Sequence, residues 1–259
     1  MKIVRIEVFR VDVPMKPDSV NSPEFGGDGV SAFTLGLHKH ILKMHTDEGI
    51  VGLGETWKGT PAAAVRKGAE ALLGTDPTRL SLHRLPLPYD TEEVNVRDRG
   101  EVVAVPVSSI PHNPAVHAFE VAVADIVGQA FGVPICQLLG GPVRDRVLVH
   151  YWSGRRTPED LARVAKQAQE RGFSGLKIKC ALEDPNLERV QAVYEACGPG
   201  FRITLDPNMR FRSVEATLEL AKRMEGLPVQ VFEDPVAKDD LADYARLKAE
   251  MEIPLALHL

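Results

Sequence analysis

The sequence predicts an α/β chain in two parts: an α+β domain over residues 1–125, then the first part of a TIM-like β/α barrel over 126–259. Three observations carry this. The N-terminal part alternates apolar and charged residues at the period of a strand and then gives way to helical spacing. Beyond about residue 145, β-branched runs alternate with amphipathic stretches across short connections, which is the grammar of a parallel sheet. Polar residues stand at the ends of successive runs, Lys179, Asp206, Glu233 and His258, spaced 25–27 apart. A barrel of eight units in about 250 residues has a similar pitch. A doubly wound open sheet shares the local grammar. The polar residue at each strand's C-terminal end favours the barrel, because that is the face on which barrels build their sites.

Val4, Ile6 and Val8 alternate with Arg5 and Glu7, which predicts a half-buried first strand. Lys16 to Gly29 is polar and rich in Gly and Pro, and reads as a mobile loop. LHKHILKMHT and IVGLGETW flank Asp47-Glu48-Gly49 and predict a hairpin. Helices are expected from Pro61 to Leu73 and from Pro114 to Phe131, the second stopped by Gly132 and Pro134. Then come strand RVLVHYW, a helix over 158–171 capped by Thr157, strand GLKIKC and a helix over 186–196. Strand FRITLDPN, a helix from Ser213 to Met224, strand VQVFEDP, a helix over 239–250 and strand IPLALHL complete the series.

The hydrophobic fraction of 44% and charged fraction of 26% are those of a globular protein with a sizeable core. A net charge of -5 leaves no basic surplus for phosphates, which argues against nucleic acid as a partner. No apolar run of about 18 residues occurs, so no membrane span is expected, and MKIVRIEVFRVDV lacks the apolar core of a signal peptide. A cytoplasmic protein is the default expectation. Cys136, Cys180 and Cys197 are odd in number and irregular in spacing, and suggest neither a disulfide framework nor a zinc site.

Lys177 and Lys179 lie two apart on one strand, so both point to the same side. Neighbouring ammonium groups disfavour each other's charge, which lowers a lysine pKa toward the range of a base. Two surface lysines are the plain alternative, and a barrel strand has no exposed face to hold them. Asp206 and Glu233 end the next two strands and supply the hard oxygen ligands that Mg²⁺ takes from one or two carboxylates. Taken singly, each acid reads equally as a helix cap. A cation beside a bound carboxylate stabilises the charge that appears when the neighbouring carbon loses its proton.

These residues carry a resemblance to the mandelate racemase and muconate lactonizing branch of the enolase superfamily. HAFEVAVADIVGQAFGVPICQLLGGPVRDRV resembles the helix and LLGG turn that lead from that family's capping domain into its barrel. GLKIK resembles its Lys-x-Lys strand, LDPN and FEDP its first two metal-ligand strands, and EGIVGLGET its capping-domain hairpin. The resemblance implies a capping domain followed by part of a (β/α)7β barrel, and Mg²⁺ held by Asp206 and Glu233. It implies Lys179 as base, Lys177 as its assistant, and Asn208 and Asp234 at the edge of the site. The loop over 16–29 would be a lid, and Trp57 either a member of a second loop near the site or a packing residue. It also implies a homo-oligomer acting on a small carboxylate. His150, Tyr151 and Ser153 close the first barrel strand, where substrate contact and strand packing are equal alternatives.

Two departures from the family pattern stand out. The third metal ligand, usually acidic, falls on IPLALHL, where His258 is the candidate and a strand-end histidine the alternative. Imidazole suits softer metals than Mg²⁺. The sequence also stops at Leu259 inside a predicted strand, so the expectation is a longer protein with three further barrel strands. The resemblance implies a lyase dehydrating an acid sugar through an enolate. A racemase, epimerase or muconate-type cycloisomerase is the alternative within the family, and a non-catalytic paralogue the alternative outside enzymes.

Overall fold

The computed structural model describes residues 1–14, 20–25, 37–81, 84–88, 113–238 and 241–258. They form two compact units, one from 1–14, 37–88 and 113–145, the other from 20–25 and 146–258. No helix among the described residues is long and apolar enough to cross a membrane.

In the first unit, β1 (Ile3–Val13), β2 (Leu37–Thr46) and β3 (Val51–Glu55) make an antiparallel sheet in that order. The predicted hairpin joins β2 to β3, and Gly49 at φ +84° supplies the left-handed residue its turn requires. Leu42 and Met44 on β2 are fully buried against α1 (Ala62–Leu72) and α2 (Val116–Phe131). The glycines of EGIVGLGET have a steric reason. A Cβ on Gly52 would lie 2.2 Å from the carbonyl oxygen of Ala122, and one on Gly54 1.9 Å from that of Ala118. Strand β3 therefore lies directly on the small-residue face of α2. That helix also serves the strand's free edge: Asp125 accepts from the Leu53 amide at 2.9 Å, and Gln129 donates to the Val51 carbonyl at 2.9 Å. Gly132, at φ 65°, ends α2 as predicted, and α3 (Ile135–Leu138) follows.

Two expectations need correcting in this unit. Val4 is 55% exposed, because the pairing of β1 with β2 shifts between Ile3 and Arg5, and Ile3 enters the core instead. The boundary at 125/126 falls inside α2, whose buried face runs unbroken from Ala118 to Gly128 and belongs wholly to the first unit.

Among the described residues the second unit holds five parallel strands: β4 (Tyr151–Ser153), β5 (Gly175–Lys179), β6 (Arg202–Asp206), β7 (Val229–Glu233) and β8 (Leu255–Ala256). Their order in space is their order in the chain, with none of the reversal that marks a doubly wound sheet. Helices α4 (Pro158–Glu170), α5 (Asn186–Cys197), α6 (Val214–Arg223) and α7 (Leu241–Glu250) connect them, as in a partial barrel. Thr157 and Ser213 cap α4 and α6 as expected, accepting from Asp160 N and Ala216 N. One sheet face, Leu176, Ile178, Ile203, Leu205 and Phe232, is buried in a common core with Leu161, Ala165, Val190, Val193 and Leu220 of the helices. The other face carries Trp152, Lys177 and Thr204 in one register row, and Lys179 beside Asp206 in the next.

Strand RVLVHYW shortens to Tyr151–Ser153, because its partner β5 begins only at Gly175 and no ladder reaches further back. Val147, Leu148 and Val149 are exposed instead. The last strand shortens in the same way, to Leu255–Ala256.

The middle of the predicted loop over 16–29 is part of this unit; the rest of that loop lies outside the described residues. Val20, Asn21 and Ser22 are buried, and Pro23–Phe25 forms a short 3-10 turn. Ser22 donates to Asp160 at 2.5 Å, and its amide bonds to the Arg155 carbonyl at 3.0 Å. Asp160 also accepts from Arg156 at 2.7 Å and from Arg163.

Two outcomes follow from this packing. Gly54→Ala forces a methyl into the Ala118 carbonyl and lowers stability by about 1–3 kcal/mol in urea unfolding, whereas Gly200→Ala, with nothing within 4 Å of its added Cβ, is neutral. Burial pushes the Asp160 carboxyl up, but hydrogen bonds from Ser22, Arg156 and Arg163 outweigh it and hold its pKa at about 2. A carboxyl depressed in the folded state contributes stability above the unfolded value near ~3.9 and loses it as pH falls toward the folded one. The stability gap between wild type and Asp160→Asn, on the order of 2 kcal/mol at neutral pH, therefore closes between about pH 4 and pH 2. A gap that is constant with pH would show that this carboxyl is not depressed.

Candidate active site

The C-terminal ends of β5, β6 and β7 bring four charged groups together. Lys177 and Lys179 project from the face of β5 opposite the buried Leu176 and Ile178, as their spacing requires. Lys179 pairs in register with Asp206. Its Nζ donates to Asp206 Oδ2 at 2.5 Å and to Asn208 Oδ1 at 2.6 Å. Lys177 Nζ lies 3.0 Å from the same Asp206 oxygen and also donates to Glu233 Oε1. Two ammonium groups thus share two carboxylates, and Asp206, with 1% of its side chain exposed, is the deepest member.

The turn after β6 sets this geometry. Asn208 and Met209 adopt φ of 46° and 65°, which returns the Asn208 side chain toward Lys179. The Asn208 amide donates to Asp206 Oδ1 at 3.1 Å, so Asp206 is held through both oxygens. Asparagine is among the residues that tolerate this left-handed conformation.

Burial pushes the Lys177 ammonium toward neutrality, but the carboxylates of Glu233 and Asp206 outweigh it, and its pKa stands above the ordinary lysine value. This corrects the expectation of mutually lowered lysines for Lys177, since carboxylates reach its Nζ directly. Burial likewise pushes Asp206 up, and the two lysines more than reverse it, holding the carboxyl below the usual range.

The remaining candidates lie elsewhere. Asp234, also 1% exposed and at φ 50°, turns from the lysines toward β8. It accepts from the His258 amide at 2.9 Å and faces the Lys238 ammonium at 2.7 Å. His258 is gripped by its backbone, through Asp234 and Lys238, while its side chain is exposed. Among the described residues no three His, Cys, Asp or Glu side chains form a metal-binding group. His150 sits at the opposite end of the strand, where its ring would be 2.8 Å from a Cβ on Gly175. Tyr151 faces the helix layer, edge-on to Phe173 at 5.3 Å. Trp57 is 69% exposed and belongs to the first unit. The residue of β4 that shares the lysine face is Trp152, in register with Lys177. Trp152 lies within the predicted strand RVLVHYW, but alternation alone does not say which of that strand's two faces is shared with Lys177.

The donor set suits a hard cation. Asp206 and Glu233, from neighbouring strands, already converge on one positive group, the Lys177 ammonium. Mg²⁺ takes one or two carboxylates and completes its shell with substrate and water.

Comparison with known proteins identifies the family. Residues 36–140 match the family model for the mandelate racemase/muconate lactonizing enzyme N-terminal domain, and residues 160–258 match the enolase C-terminal domain-like model. An N-succinyl-L-Arg/Lys racemase from Bacillus cereus is 25% identical, over 99% of this chain and 66% of its own length. The crystal structure of the N-succinyl Arg/Lys racemase of that organism aligns with a TM-score of 0.74 at 23% identity, over 99% of this chain and 66% of that one. A D-galactonate dehydratase from Pectobacterium atrosepticum is 32% identical, over 88% of this chain and 59% of its own length. A magnesium complex of a protein from Roseovarius nubinhibens aligns with a TM-score of 0.67 at 26% identity, covering 99% of this chain and 65% of that one. The chain thus spans two thirds or less of the length of these relatives.

Proposed function

Because this chain belongs to the enolase superfamily, in its mandelate racemase and muconate lactonizing branch, we propose that it removes a proton alpha to the carboxylate of a small substrate. One observation supports this above the others: the Lys179 amine lies between Asp206 Oδ2 and Asn208 Oδ1, at the C-terminal end of the sheet and beside a pair of converging carboxylates. Lys179 is the base, taking the proton at Nζ, and its two hydrogen bonds fix the direction of its approach. Asn208 orients the amine without adding charge. Lys177 supports the substrate carboxylate. Asp206 and Glu233 hold Mg²⁺, which when bound stabilises the negative charge that the substrate carboxylate gains as the proton leaves. Substrate fixed between base and carboxylates reacts without the cost of a chance encounter.

The preferred overall reaction is dehydration of an acid sugar. The LDPN and FEDP strand endings and the higher identity to a D-galactonate dehydratase support it. Racemization or epimerization is the second reading, supported by the match to an N-succinyl-amino-acid racemase over nearly all of the chain. Both begin with the same proton removal.

Solvent-deuterium exchange at the alpha carbon, followed by NMR with Mg²⁺ across acid sugars and N-acylated amino acids, tests the reading. Exchange with one substrate class is expected to fall about 10²–10⁴-fold in Lys179→Ala. Asp206→Asn is expected to lose Mg²⁺ binding in titration calorimetry. Exchange that survives in Lys179→Ala would remove Lys179 as the base, and Mg²⁺ binding unchanged in Asp206→Asn would remove the metal site.

A further inference from the structure

Away from the lysines, a buried knot of charge ties together three separate stretches of the second unit. Asp184 accepts from Arg155 Nε at 2.9 Å, from Arg189 Nη1 at 2.6 Å and from the Ala181 amide at 3.0 Å. Ala181 is two residues beyond Lys179, so Asp184 closes the turn that follows the lysine strand. Arg155 sits just after β4, and Arg189 on α5 also binds the Arg156 carbonyl. Both guanidinium groups lie over the ring of Phe25, at 5.0 Å and 4.8 Å from its centroid.

The aromatic ring has a specific task here. Arg189 is fully buried, and its Nη2 has no hydrogen-bond partner among the described residues. An uncompensated buried guanidinium nitrogen is costly. The negative face of an aromatic ring is attractive to such a group when water is excluded, which an aliphatic side chain of similar volume is not. The ring in turn continues the seating of the residues before it. Asn21 Oδ1 accepts from the Arg155 amide at 2.8 Å, the Gly154 amide donates to the Val20 carbonyl at 3.0 Å, and the Thr157 amide donates to Ser22 Oγ at 3.2 Å. Gly154 must be a glycine for this contact, because a Cβ there would lie 2.0 Å from Asn21 Oδ1. The segment therefore docks where β4 and β5 end, on the same end of the sheet as Lys179.

The geometry points to Phe25 as a positioning residue: through Arg155, Arg189 and Asp184 it joins residues 20–25 to the turn beyond Lys179, making that segment a preset wall for substrate. The role in substrate placement rests on the reading of Lys179 given above; the clamp itself does not.

Backbone hydrogen exchange and kinetics of the same variants separate the two. In Phe25→Leu, the Ser22, Gly154 and Thr157 amides are expected to exchange about tenfold faster or more, while those of Ile178 and Leu205 are unchanged. Phe25→Tyr, which keeps the ring face, is expected to restore protection. Gly154→Ala is expected to unseat the same amides with Phe25 intact. For alpha-proton exchange, Phe25→Leu is expected to raise KM several-fold with kcat within about twofold, and Phe25→Tyr to reverse this. Protection in Phe25→Leu equal to wild type, or no rescue by Phe25→Tyr, overturns the clamp. A loosened segment with unchanged KM overturns the positioning role. Wild-type protein that exchanges no carboxylate substrate counts against the reading of Lys179, and the amide measurements still decide the clamp.

Discussion

Lys177 and Lys179 are two residues apart on a strand whose other face is sealed by helices, and that spacing decides where the charge of the second unit goes. Leu176 and Ile178 are consumed by the helix layer, so both ammonium groups must share the opposite face. The parallel register then dictates their company. Asp206 stands opposite Lys179, and Glu233, one strand further, reaches Lys177. Parallel strands with in-register ends turn a linear repeat of about 27 residues in the sequence into a cluster with hydrogen-bond spacing. No loop has to fold over to assemble it; only the turn at Asn208 and Met209 adds a side chain from outside the ladder.

This explains which parts of the site were legible in the sequence. Where a strand is paired along its whole length, the period of two and the repeat of 27 residues carry through to its last residue, so Lys177, Lys179, Asp206 and Glu233 could be read directly although the last three end β5, β6 and β7. Where a strand runs past its partner, its bounds depend on how far the neighbour extends, which no local pattern reveals. The first strand shows this: β5 starts at Gly175, the ladder begins at Tyr151, and the lysine face falls to Trp152 rather than to Tyr151. His258 suffers from the same limit, since β8 spans only Leu255–Ala256 and the residues beyond it are held by Asp234 and Lys238 through the backbone. Val4 fails at the opposite end of the chain because a register shift moves Ile3 inward. The sign of the Lys177 pKa shift depends on three-dimensional distances between side chains of different strands. Sequence spacing supplied the lysine pair and the two acids, but not the approach of Glu233 and Asp206 to the Lys177 Nζ.

The glycine-rich and polar segments were legible as breaks but not as contacts. In EGIVGLGET the hairpin and its turn glycine could be read, but not that Gly52 and Gly54 inside β3 admit the backbone of α2. Likewise the Pro- and Gly-rich composition around residues 16–29 gave no sign that Val20, Asn21 and Ser22 would be buried or that Phe25 would lie against two arginines from distant positions. Long-range burial of a locally polar stretch leaves no periodic trace, because each contact is made by a single residue rather than by a face.

The energetics argue that the charged cluster is not there for stability. Removing a carboxylate or an ammonium from water costs several kcal/mol per ion, and a paired set recovers that only when every hydrogen bond is good. Replacing such a set with apolar side chains of similar volume is often neutral or stabilising. The same sheet face already shows the apolar solution at Trp152 and Val231, in the row beside Lys177 and Thr204. A chain that needed only a filled interior would extend that row outward to the strand ends. Instead it places two ammonium groups and two carboxylates there, with Asp206 buried and holding both lysines at once. Such an arrangement is poised for exchange. A substrate carboxylate or a divalent cation can take over a partner from the cluster without leaving a lone buried charge, because each incoming ion replaces one of its own sign. Four groups in balance thus lower the cost of bringing further charge into a largely desolvated site, which is what proton removal beside a carboxylate requires.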